Sequence, residues 1–158
     1  MAPIGWFAAG LAVTTAVLWS FSGAPLVGLI FASSASGGTT GLAKGRRIYD
    51  EHCAACHGRQ LEGQPDWQRR LPSGRLPAPP HDASGHTWHH SDKVLFRITK
   101  QGPAAIVGGG YESDMPGFGD VLSDAEIRAV IDFIKSTWPE RERKIQERMN
   151  QQEKGSGS

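Results

Sequence analysis

Apolar residues fall into separate regimes along the chain. From Ile4 to Phe31 they run almost without charge, broken mainly by Gly, Ser, Thr and Pro25. That stretch exceeds the roughly 7–15 residues of a secretory signal core and reaches the ~20 that a membrane-spanning helix needs. Trp6 and Trp19 would sit near the two interfaces of a span running from about residue 4 to 22. Residues 1–32 are therefore expected to be a membrane anchor, with a secretory signal removed near Ser33–Ala35 as the alternative. The next segment, 33–40, is made of Ser, Ala, Gly and Thr and is expected to be a flexible linker.

Helical spacing begins after it. Lys44–His52 predicts a short helix. Residues 58–90 hold Gly, Pro and His with little helical period and predict a loop. In Ser91–Lys100, Val94, Leu95 and Ile98 share one helix face. Gly102–Gly119 predicts a second loop, containing Gly108-Gly109-Gly110. The clearest helix is Ser123–Trp138, where Ile127, Val130, Ile131 and Ile134 form an apolar stripe and Ser123 with Glu126 makes a capping box. Pro139 ends or kinks it. The 140–154 segment has five basic and four acidic residues and almost no apolar face, so a solvated helix or frayed tail is expected. Gly155-Ser-Gly-Ser resembles an appended linker. These elements predict one mostly α domain over residues 41–139.

Composition narrows the class. With 158 residues, 39% hydrophobic content and a mean hydropathy of −0.36, the chain suits one soluble domain with attachments. A net charge of +1 gives no reason to expect nucleic acid as a partner. Residues 41–80 carry seven Lys/Arg against four acids, and residues 81–139 five against eight. Such an asymmetry can orient docking on a partner, although a solvated surface explains it as well. Two cysteines three positions apart exclude a disulfide framework.

Those cysteines carry the chemistry. Cys53-Ala-Ala-Cys56-His57 is the C-x-x-C-H pattern of covalent haem attachment. Its spacing lets two thiols add to the two vinyl groups of one haem while His57 reaches the iron from the same side. A redox dithiol would want a strand before Cys53 and a helix after it, and neither context is visible.

With Gly45-x-x-x-Tyr49 before that motif, Met115-Pro116 after it and a capped terminal helix, residues 41–139 resemble class I cytochrome c. The resemblance implies a helical fold around one covalent haem c. In it an N-terminal helix crosses the C-terminal helix at Gly45 and Tyr49, with Val130 and Phe133 as partners, and the haem supplies much of the core. It also implies Met115 as the sixth ligand opposite His57, a pairing that raises the reduction potential. Pro79 or Pro80 is implied as the carbonyl that accepts the Nδ1 hydrogen of His57.

His81, His86, His89 and His90 depart from a minimal member of that family. They could hold copper or zinc, but a haem-edge loop hydrogen-bonded to propionates or solvent is the simpler expectation. Trp67, Trp88 and Tyr111 could line the haem or serve packing alone. Gly108–Gly110 lacks the following Lys-Ser/Thr of a phosphate loop. The expected function is a mono-haem electron carrier rather than an enzyme, meeting redox protein partners at the periplasmic face of a bacterial inner membrane, or free in the periplasm if residues 1–32 are removed. The alternatives are a haem subunit of a larger respiratory or dehydrogenase complex, and a sensor or peroxidase whose sixth ligand is labile.

Overall fold

The computed structural model describes residues 34–156, and the expected membrane segment lies outside them. Among the described residues six α-helices follow one another: α1 (Ser34–His52), α2 (Ala54–His57), α3 (Asp92–Gln101), α4 (Pro103–Val107), α5 (Asp124–Ser136) and α6 (Glu140–Ser156), with a 3-10 turn at Thr87–His89. No strand occurs among the described residues, so the chain is mostly helical, as expected. No helix among them is long and apolar enough to cross a membrane.

The first difference from expectation lies in α1. Residues 34–40, expected as linker, form its first turns. Once a helix is nucleated, each further residue adds a hydrogen bond at little cost, so weak helix formers can extend one begun at Lys44. A Cβ added at Gly38 or Gly41 would meet no atom within 4 Å.

The core forms where α1 crosses α5. Gly45 sits at the crossing, and a Cβ added there would lie 2.8 Å from the Cβ of Phe133 and closer still to the carbonyl oxygen of Ala129. Only a residue without a side chain lets the backbones approach so closely. One turn on, Tyr49 is fully buried with its ring 5.5 Å from that of Phe133. From α5, Ile127, Val130, Ile131, Phe133 and Ile134 are all buried. Each such side chain contributes about 1.5–3 kcal/mol on removal from water. The N-terminus of α5 is held by the full capping box: Ser123 Oγ accepts from the Glu126 N–H, and the Glu126 carboxylate accepts from the Ser123 N–H. Helix α3 is capped by Ser91, whose Oγ accepts from Val94, and it buries Leu95.

The largest departure is α6. It is neither frayed nor fully solvated: Glu142 and Gln146 are buried, and Ile145 packs against the core cluster. Its inner face is otherwise polar. Asn150 accepts from the Asp92 N–H at 2.7 Å and donates to the Asp92 carboxylate at 3.0 Å. Gln146 Nε2 donates to the same carboxylate at 2.7 Å, and Glu153 accepts from Ser91 Oγ. The helix thus docks on the start of α3 by hydrogen bonds where a greasy stripe is absent. Gly155 and Ser156, expected as linker, finish this helix.

Candidate haem-attachment site

The attachment segment is shaped by a break between two helices. Helix α1 stops at His52, Cys53 stands at the N-cap of α2, and Gly58 ends α2 at φ +81°, a left-handed conformation that favours glycine. The backbone stays hydrogen-bonded through the bend: Cys53 N–H donates to Tyr49 O at 2.9 Å, and His57 N–H to Cys53 O at 2.9 Å. Tyr49 donates its hydroxyl hydrogen to Gly58 O at 2.8 Å, tying the core to the far end of α2. Both thiols and the imidazole are therefore carried on one short, anchored turn. Cys53 is half-buried and Cys56 exposed, and neither is in a disulfide.

Burial, with Cys56 beside it, pushes the Cys53 thiol up to about 11. The Cys53 thiol therefore stays protonated at neutral pH.

His57 is buried at 6% exposure. Its Nδ1 lies 2.8 Å from Pro79 O. Of the two prolines implied by the resemblance, Pro79 supplies this carbonyl, while Pro80 O faces Thr87 Oγ1 at 3.4 Å. Burial lowers the His57 pKa, and the Pro79 hydrogen bond works against that shift. A carbonyl can only accept, so Nδ1 carries the hydrogen and Nε2 keeps its lone pair, the tautomer a metal ligand requires.

Met115 is half-buried in the segment between α4 and α5, and its N–H donates to Ser113 Oγ at 3.1 Å. The segment is pinned from two sides. After Met115, Phe118 N–H donates to Thr99 O and Gly119 N–H to Lys100 O, both at 2.9 Å, on the C-terminal end of α3. Before it, Arg75 pairs with Asp114 and lies 3.5 Å from Glu112, and the Arg70 guanidinium sits 5.9 Å from the Tyr111 ring centre. Of the other methionines, Met149 lies on α6, and Met1 is outside the described residues.

The four loop histidines do not converge. His86 stacks on Trp67 at 5.2 Å and His89 lies tilted against Trp88 at 3.7 Å, while His90 meets His86 edge-on. No group of three or more His, Cys, Asp or Glu among the described residues could hold a metal ion. His81 behaves differently, lying against His57 with ring centres 4.0 Å apart and planes 21° apart. The sequence did not single out that contact: four histidines within ten positions look alike until the fold brings His57 to one of them.

The residues present fit a covalent haem. The donor set is two unpaired thiols and an imidazole with a free Nε2. Among the described residues the buried Trp88 Nε1 has no hydrogen-bond partner, and Arg75 Nε reaches only Glu112, at 3.5 Å. Buried donors are normally satisfied, and a haem carries propionates that can accept from such groups.

A helical domain whose first and last core helices cross over a C-x-x-C-H turn, with the histidine held by a proline carbonyl, defines a class I c-type cytochrome. The chain belongs to the cytochrome c family, whose family model, described as Cytochrome c, matches residues 42–138. No curated protein and no solved structure matches it. The match ends at the last buried residue before Pro139, so α6 is an addition to the family domain. As a family member the chain is a haem-based electron-transfer protein that binds haem c covalently.

Proposed function

We propose that the chain is a mono-haem electron carrier held at the periplasmic face of a bacterial inner membrane by residues 1–32. The single observation that carries the mono-haem reading is the His57–Pro79 hydrogen bond of 2.8 Å on the turn that also bears both thiols. It supports one attachment site with one pre-oriented imidazole that would hold the iron. The haem, when bound, supplies iron that takes up and releases one electron.

The protein's part is attachment, orientation and exclusion of water. Cys53 and Cys56 provide the two thioether sulfurs. His57 presents Nε2, and Pro79 fixes the opposite side of its ring. Met115 would hold the haem iron through its neutral thioether, and the Arg75 ion pairs and the backbone bonds to α3 hold its loop. An iron held by both His57 and Met115 would keep no site for a substrate, which favours transfer over catalysis. The complex-subunit alternative would use the 140–154 segment for docking. The engagement of Gln146, Asn150 and Glu153 within the domain favours the free carrier.

Optical spectra of the purified protein and its variants test this. Wild type is expected to be low-spin in both oxidation states and closed to carbon monoxide when reduced. Met115→Ala should abolish the weak near-infrared sulfur-to-iron band and let carbon monoxide bind, and His57→Ala should destroy the low-spin spectrum. Replacing both cysteines should abolish haem staining on denaturing gels, and unchanged staining would overturn the attachment site. The anchor predicts fractionation with membranes and an N-terminus at Met1 or Ala2; a start near Ser36 would replace it with a soluble periplasmic carrier.

A further inference from the structure

One hydrogen bond does not fix an imidazole. The Nδ1 contact to Pro79 holds one point of the His57 ring, and the ring remains free to rock about the line joining nitrogen and oxygen. A flat group against the ring face removes that freedom. His81 is such a group, stacked at 4.0 Å between centres and nearly parallel at 21°.

His81 is itself held on several sides. Its N–H donates to Leu61 O at 2.8 Å, and its carbonyl accepts from Trp138 Nε1 at 2.7 Å. Its Nδ1 is 2.8 Å from the hydroxyl of buried Thr87. The fully buried Tyr49 meets its ring edge-on at 6.3 Å and 71°. Backbone, side chain and neighbour together leave the imidazole no room to swing, so it can act as a rigid plate behind His57. Of the other loop histidines, His86 stacks on Trp67, His90 meets His86 edge-on and His89 lies tilted against Trp88.

We propose that His81 is a positioning residue that fixes the plane of the His57 imidazole by face-to-face stacking, complementing the Pro79 hydrogen bond. This rests on His57 being the axial ligand. The orientation of an axial imidazole plane determines how unpaired spin is distributed over the haem, so the haem-methyl proton resonances of the oxidised holoprotein read it directly.

The experiment compares proton NMR of oxidised wild type with His81→Ala, His81→Leu and His81→Phe, after haem staining and far-UV circular dichroism show that each is loaded and folded. His81→Ala and His81→Leu are expected to shift the haem-methyl pattern or split it into two sets, while His81→Phe, which keeps a flat ring, restores the wild-type pattern. His81→Leu fills the space without a flat face and carries the test if the alanine variant does not fold. A wild-type pattern in His81→Leu overturns the assignment, because filling space would then suffice. Loss of the low-spin spectrum in the loaded His81 variants also overturns it, since His81 would then be a ligand itself. The axial role of His57 is tested apart by His57→Ala: persistence of the low-spin spectrum there refutes the ligand assignment, whereas its loss together with an unchanged His81→Leu pattern refutes the stacking role alone.

Discussion

Replacing Gly45 by alanine sets two opposing effects against each other in one helix. Alanine is the better helix former by about 1 kcal/mol, and by propensity alone the variant should be more stable. The structure reverses the sign. The new methyl would stand 2.8 Å from Phe133 Cβ and still closer to Ala129 O. Neither obstacle is the movable end of a long side chain, so α1 and α5 must separate. Overpacking of that kind costs typically about 1–3 kcal/mol, and here the upper part of the range applies because both helices carry core residues next to the contact. The net loss should be about 1–2 kcal/mol, a fall in melting temperature of roughly 5–10 °C for a domain of this size. Gly41→Ala is the internal control: it lies in the same helix, its added Cβ meets nothing within 4 Å, and it should gain up to about 1 kcal/mol. Thermal unfolding of the two haem-loaded variants, followed by far-UV circular dichroism, gives both values. A Gly45→Ala protein as stable as Gly41→Ala would show that the crossing is not close-packed and would refute the reasoning.

Two further perturbations test the capping box and α6. Hydrogen bonds from the Ser123 side chain and backbone, with Lys44 3.2 Å away, hold the Glu126 carboxyl at about 2, below its ordinary 4.5. Its stabilising contribution is complete above pH ~4.5 and is lost as the pH falls towards 2, so Glu126→Gln should flatten the dependence of melting temperature on pH within that window and leave the slope above pH 5 unchanged. Truncation after Pro139 deprives Asp92 and Ser91 of Asn150, Gln146 and Glu153; at about 0.5–1.5 kcal/mol per hydrogen bond the loss should be a few kcal/mol at most, with haem attachment retained. Hydrogen exchange at the Asp92 amide should accelerate in the truncated protein, and unchanged protection there would mean that α6 does not dock in solution.

What could be read in advance depended on how far each signal travels along the chain. Helix α5 was legible because its apolar stripe and its Ser123–Glu126 cap lie within one short stretch. The attachment turn was legible for the same reason, with all its donors within five consecutive residues. Helix α4 was missed: Pro103–Val107 spans little more than one turn, too short to show a period, between Gly102 and Gly108 at positive φ. The docking of α6 was hidden because its partners, Ser91 and Asp92, lie far away in sequence, and polar pairing leaves no periodic mark. The choice between Pro79 and Pro80 was likewise a matter of fold, since adjacent carbonyls point to different neighbours.

The crossing of α1 and α5 also imposes an order of events. Gly45 and Ala129 lie roughly eighty positions apart, and contacts of such long range form late and slowly compared with local ones. A chain emerging from its N-terminus presents Cys53, Cys56 and His57 well before α5 exists to close over Tyr49. For that interval the attachment turn is open on the side that the finished core later covers. Modification of the Cys53 thiol is therefore easiest while the protein is still incomplete, and a nascent chain arrested before residue 124 should offer Cys53 to a thiol reagent more readily than the folded polypeptide does, with Cys56 open in both.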